Sequence, residues 1–193
     1  MSILRILLLS MVGIGLFTGE SIAQICNAFP YPLTNGATAD ASQVTADLTY
    51  AATCRNSAPI FSVYLSADQT ISSSVFTKVS LNAKNYDVGS YFDATTNFRY
   101  TPLIAGKYLI IGQIYFGPGP ASAGVTTLAL YKNGSSVAAT YHQTNGTIIQ
   151  VSGIVTLNGS SDYIELWGLS VNTGSIFKAG SSLTFLQGYW LTP

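Results

Sequence analysis

Charge is what this chain has least of. Of its 193 residues, 8 are Lys or Arg and 8 are Asp or Glu, giving a formal net charge of +0. So little charge removes the electrostatic footprint that non-specific nucleic-acid binding needs. Histidine occurs once, as His142, and cysteine twice, so no zinc-type ligand set can be assembled. There is no Gly-x-Ser-x-Gly elbow, no phosphate-cradling glycine loop and no His/Glu metal motif. His142 has no acid near it in sequence on which a triad could be built, and it reads as a surface residue. Long apolar runs are missing beyond the N-terminal segment, and the later ones are only of strand length.

What is abundant is apolar surface: 48% of the residues are hydrophobic. A near-neutral, apolar chain associates readily, and an obligate oligomer resolves this by burying apolar faces between subunits. The chain opens with Arg5, an apolar stretch from Ile6 to Phe17, and Ser21-Ile22-Ala23. This reads as a secretory signal over residues 1–23, cleaved after Ala23; the competing reading is an uncleaved anchor. The expected location is secreted, cell-surface or periplasmic, with no membrane span once the signal is removed. Cys26 and Cys54 both lie beyond the cleavage point. An even count in an exported chain predicts a disulfide, either closing one loop within the chain or linking neighbouring chains.

Residues 24–57 form an extension distinct from the β-rich remainder of the chain. Phe29-Pro30-Tyr31-Pro32-Leu33 is extended and Thr34-Asn35-Gly36 is a turn signal. A helix is expected from Asp40 to Ala51, capped by Asp40 or Thr38. Ala37, Ala41, Val44, Leu48 and Ala51 fall on one face at 4-3-4-3 spacing. That face suits either a trimerisation neck or packing on the chain's own domain, and at about two heptads it cannot hold a coiled coil alone. Residues 58–193 alternate β-rich runs with turns. Strands are expected at Ile60 to Leu65, Val75 to Leu81, a short piece carrying Phe98 and Tyr100, Lys107 to Phe116, Val125 to Tyr131, Val137 to His142, Thr147 to Leu157, Tyr163 to Leu169 and Leu183 to Leu191. Asn133-Gly134, Asn145-Gly146 and Asn158-Gly159 mark turns; each also begins a glycosylation triplet, relevant only in a eukaryotic source. About ten short strands at this spacing predict an all-β sandwich. From Lys107 to Phe116 both alternating sets are apolar, Tyr108, Ile110 and Ile114 against Leu109, Ile111 and Tyr115. That strand needs cover on both faces, from a second subunit or from a loop of its own chain.

Two segments carry a family resemblance. Phe92-Asp93, then Phe98-Arg99-Tyr100-Thr101-Pro102 and Gly106-Lys107-Tyr108, give an aromatic-Asp pair, an aromatic-Thr-Pro step and Gly-x-Tyr. Phe185-Leu186-Gln187-Gly188-Tyr189-Trp190 closes the chain on an aromatic-rich strand around Gly188. The chain resembles the C1q-like (C1q/TNF-like) globular domain from roughly Ala58 to Pro193. It departs from the family pattern at Ile110 and Gly112, where aromatics are expected. The resemblance implies a jelly roll without a catalytic centre, assembled as a homotrimer with one sheet on the axis, that binds a surface glycan or protein. Some members hold calcium with loop carboxylates, which points to Asp87 and Asp93; the alternative for Asp93 is a turn cap. Otherwise no cofactor is expected. Among the aromatics expected to be exposed, at strand ends or on alternating faces (Tyr91, Tyr115, Phe116, Tyr131, Tyr141, Tyr163, Trp167), Tyr115, Tyr131, Tyr141 and Trp167 are the expected ligand contacts. Leu33 to Ala41 also resembles short segments preceding phage-tail fibre heads, so the competing function is structural, a fibre or appendage protein whose role is assembly. A glycosidase pair among the acids is a third reading, but nothing in the sequence selects one.

Overall fold

The computed structural model describes residues 29–31, 35–36, 38, 40–56, 58–117, 124–143 and 147–193. The expected signal segment and Cys26 lie outside the described residues, as does the side chain of Cys54. The turn at Asn145-Gly146 lies outside them too. Among the described residues no helix is long and apolar enough to cross a membrane.

Helix α1 spans Ala41–Asn56. Asp40 caps it: its carboxylate accepts the Ser42 N–H at 2.7 Å and the Ser42 hydroxyl at 2.6 Å. Of the two capping candidates, Asp40 fills the role, and the helix runs past Ala51. Its covered side meets the preceding extended segment. Asp47 accepts the Tyr31 N–H at 3.1 Å, and Tyr50 meets Phe29 edge-on at 6.5 Å. Ala41 and Leu48, on the seam side, are exposed, Leu48 at 67%.

Thirteen strands succeed the helix among the described residues: β1 (Ile60–Tyr64), β2 (Gln69–Thr70), β3 (Thr77–Lys78), β4 (Ala83–Asp87), β5 (Phe92–Asp93), β6 (Arg99–Tyr100), β7 (Ala105–Gly117), β8 (Thr126–Lys132), β9 (Ser135–His142), β10 (Ile148–Asn158), β11 (Ile164–Ser170), β12 (Ile176–Phe177) and β13 (Phe185–Thr192). They form two antiparallel sheets. One has seven strands in the order β2-β12-β7-β13-β1-β4, with β10 also paired to β7. The other has six, β5-β6-β11-β8-β9, with β3 also paired to β11.

The core lies between the sheets. Strand β7 alternates as its sequence demands: Tyr108, Ile110, Ile114 and Phe116 are fully buried, while Leu109, Ile111, Gln113 and Tyr115 face outward and are half-buried. Leu128, Leu130, Ile164 and Leu166 meet them from the opposite sheet. Phe61 stacks on Tyr100 at 3.9 Å, and Tyr100 meets Tyr108 edge-on at 6.0 Å. The departure from the family pattern at Gly112 has a packing cause. A side chain there would collide with Leu166 Cδ1, so the opposite sheet fills the place of the expected aromatic.

Local expectations differ from the structure in three places. Only Thr77–Lys78 of the run from Val75 to Leu81 pairs as a strand, because β3 shares one edge of β11 with β6 and each has room for a short ladder. Phe98 is not in a strand: its φ of 50° closes a turn, and β6 begins at Arg99. Phe116 is not an exposed aromatic but a core one, packed edge-on against Phe177 at 5.5 Å. The hairpin at Asn133-Gly134 is as expected, with φ of 51° and 80° at its two central residues.

Candidate functional site

The outer face of the six-stranded sheet gathers aromatics from strands distant in sequence. β11 puts Ile164, Leu166 and Gly168 inward, and so Glu165, Trp167 and Leu169 outward. In register with them on β8 are Tyr131 opposite Glu165 and Ala129 opposite Trp167. The Trp167 and Tyr131 rings stack at 5.0 Å with 29° between their planes, and Phe76, just before β3, reaches Tyr131 at 6.1 Å. Beneath the rings Glu165 is buried, an expensive position for a carboxylate unless it is paired. It is paired on both oxygens. One accepts the Trp167 indole N–H at 2.9 Å, the other the Lys78 ammonium at 3.1 Å. The indole is therefore held in one orientation by a carboxylate that is itself held. Ala129, between Trp167 and Ala139 in the same row of the outward face, is only 1% exposed.

Of the four aromatics expected to meet a ligand, three share this face. Tyr131 and Trp167 are in contact. Tyr141 stands on the edge strand β9, opposite Thr127, and is 71% exposed. Tyr115 lies on the outer face of the other sheet, opposite Ile148. Phe76 and Lys78 were not singled out by sequence reasoning. The signal that could have found part of the cluster is Glu165, two residues before Trp167 on an alternating strand and hence on the same face.

The outer face of the seven-stranded sheet is different in kind. The ladder registers place Ile60, Tyr189, Leu109 and Ile154 in one row across β1, β13, β7 and β10. Tyr189 is 49% and Ile154 65% exposed. The next row is Ser62, Gln187, Ile111 and Ser152. A shallow hollow of about 200 Å³ opens between these rows, walled by Tyr86, Leu109, Ile111 and Tyr189.

The acids are engaged locally. Asp87 accepts the N–H groups of Tyr91 at 3.1 Å and Phe92 at 3.0 Å and pairs with Lys84 at 2.7 Å. Asp93 accepts the N–H groups of Thr95, Thr96 and Asn97, each at 3.0 Å, and the Asn97 amide at 2.8 Å. The bonds from Thr96 and then Thr95 hold its carboxyl far below the usual carboxylate range. The Ala179 N–H, followed by Lys178, lowers Asp68. Asp162 pairs with Lys132 at 2.8 Å and accepts the Asn133 amide at 2.7 Å. Among the described residues no three His, Cys, Asp or Glu side chains cluster as metal ligands would. His142 ends β9, exposed.

No protein-family model and no curated protein matches the sequence. Solved structures do match in fold. Murine APRIL at pH 8.5, a TNF-family structure, superposes with a TM-score of 0.52 at 14% identity, over 69% of this chain and 98% of that one. Murine APRIL at pH 5.0 gives 0.51 at 13% identity, over 69% and 99%. The globular domain of zebrafish complement 1qA protein gives 0.48 at 16% identity, over 69% and 97%. At such identities the likeness is one of architecture, and that architecture is the C1q/TNF-like jelly-roll sandwich.

Proposed function

We infer that this chain is an exported, non-enzymatic recognition module that works as a homotrimer and binds a surface ligand. The observation that carries the reading is the apolar row Ile60, Tyr189, Leu109 and Ile154 on the outward face of the seven-stranded sheet. A sheet face left in water alternates to polar residues. This one spans four strands without a charge in the row, and its half-buried and exposed apolar side chains call for a cover. Threefold packing of this face supplies it, as the C1q/TNF resemblance implies. Each Ile or Leu buried there contributes about 1.5–3 kcal/mol per chain.

The same reading takes residues 24–57 as the neck. The β13 backbone at Trp190 bonds to Pro59 at 3.0 Å, so the extension enters the sandwich beside the C-terminal strand. The seam of α1 at Ala41, Val44, Leu48 and Ala51 then has partners in two further copies. Export through residues 1–23 and a Cys26–Cys54 bond, within or between chains, belong to this account. Absence of catalysis is supported by the acids: caps, turns and ion pairs occupy Asp40, Asp47, Asp68, Asp87, Asp93, Asp162 and Glu165. A calcium ion would have to compete with three backbone N–H groups and an amide at Asp93, and with two backbone N–H groups and the Lys84 ammonium at Asp87. Sedimentation of the mature protein, with and without reductant, tests the assembly. Three times the chain mass is expected in both conditions for an intrachain bond, and a clean monomer at micromolar concentration refutes the reading.

A further inference from the structure

The aromatic cluster on the six-stranded sheet deepens that reading and rests on it: we propose that Trp167, Tyr131 and Phe76 are a docking site for a neutral glycan, whose pyranose ring stacks on the cluster.

Position argues first. With the seven-stranded face turned to the trimer axis, the outer face of the other sheet stays in water. Rings left half-exposed on a solvated face then need a reason, since that face can be polar at no cost to the core. Preorganisation argues second. The indole is fixed through Glu165, and Glu165 is fixed by Lys78. A platform already frozen loses little side-chain freedom when a ligand arrives.

Charge and shape choose the class. Lys78 and Glu165 cancel, Lys132 is paired with Asp162, and Arg99, outward on β6 beside β11, is laid over the Tyr163 ring with Asp93 as its cross-strand neighbour, so the three cations of this sheet are matched in number by three acids. No net field remains to draw a sulfate, a phosphate or an acidic sugar, and no cationic track runs beside the rings as single-stranded nucleic acid would need. A neutral pyranose instead presents polarised C–H groups to the negative face of an aromatic ring and hydroxyls at its rim. Lys78 has three ammonium donors, of which Glu165 takes one. The row Trp167, Ala129, Ala139 has small side chains beyond the indole, and Tyr141 stands further along the same face. This is a shallow strip that suits an extended oligosaccharide. A protein hot spot sits in a deep, rimmed pocket, which this face lacks.

The test is calorimetric titration of the mature protein with neutral hexasaccharides of glucose, mannose, xylose and N-acetylglucosamine, with heparin as the acidic probe. At least one neutral hexasaccharide should bind. Trp167→Ala and Tyr131→Ala should each weaken it about tenfold or more. Trp167→Phe, which keeps a ring but loses the bond to Glu165, should weaken it less. If Trp167→Ala does not fold, Tyr141→Ala on the exposed edge should still give a several-fold loss. Binding of heparin alone, capture of a deglycosylated protein partner with no sugar bound, no carbohydrate binding at all, or full affinity in a folded Trp167→Ala each overturn the proposal. A stable trimer that binds no neutral hexasaccharide sinks this proposal alone. A monomer that binds one in a Trp167-dependent way sinks the assembly reading alone.

Discussion

Two tyrosines one strand apart show how much a single hydroxyl depends on its surroundings. Tyr100 and Tyr108 are both fully buried and their rings touch. The Tyr108 hydroxyl donates to the Ile104 carbonyl at 2.7 Å. The Tyr100 hydroxyl has no partner among the described residues, and burial pushes its pKa up, followed in weight by the neighbouring Tyr108. A buried hydroxyl without a partner is a standing cost, and removing it leaves ring packing intact. Tyr100→Phe should therefore melt at or above the wild-type temperature. Tyr108→Phe should lose about 1 kcal/mol, the usual net worth of such a bond. Thermal melts of the two variants decide it, and a Tyr100→Phe variant that is the less stable of the pair would show that its hydroxyl is satisfied in solution.

At the scale of elements, the turn between β5 and β6 is built by one side chain. Asp93 gathers three backbone N–H groups and an amide, and this lets Phe98 hold a left-handed backbone as the chain reverses into Arg99. Arg99 then lies over the Tyr163 ring at 4.4 Å, joining the turn to the start of β11. The carboxyl is held well below its ordinary value near 3.8 by these bonds, so its contribution is full above the unfolded pKa and is lost as pH falls toward the folded one. The melting-temperature gap between wild type and Asp93→Ala should be steady from about pH 7 to 5 and narrow progressively below about pH 4. A gap that widens on acidification would contradict this assignment. The turn was legible in the sequence as a cap because its partners lie within four residues of Asp93, and the Asn133-Gly134 hairpin was legible for the same reason. The meeting of Tyr131 with Trp167 was not. It requires β8 to lie beside β11 although β9 and β10 intervene in the chain, and only sheet order supplies that. The length of β3 was equally hidden, since it is set by competition with β6 for one edge of β11.

At the scale of the molecule, the two sheets present opposite kinds of outer face. One is an apolar row crossing four strands, and the other holds aromatic rings over a neutralised ion pair. The jelly roll was legible through the C1q-like motifs, and the two-sided apolar character of β7 was legible through alternation. Which of Ile111 and Ile114 points away from the core was not, because both alternating sets are apolar. The structure separates them: Ile114 is fully buried between the sheets, whereas Ile111 is half-buried on the outer face beside Gln187 and Ser152. A charge at each position should then fail in a different way. Ile114→Glu places an unpaired carboxylate in the core, at a cost of several kcal/mol that marginal stability cannot absorb; circular dichroism should show a chain that does not fold. Ile111→Glu leaves the monomer's core intact but, in the proposed trimer, sets three carboxylates against one another on the axis. It should keep the wild-type strand spectrum while its sedimenting mass falls to a single chain. If Ile111→Glu stays trimeric with native spectrum and stability, the apolar face of the seven-stranded sheet is not the assembly surface. The cover that its exposed Tyr189 and Ile154 require must then come from elsewhere.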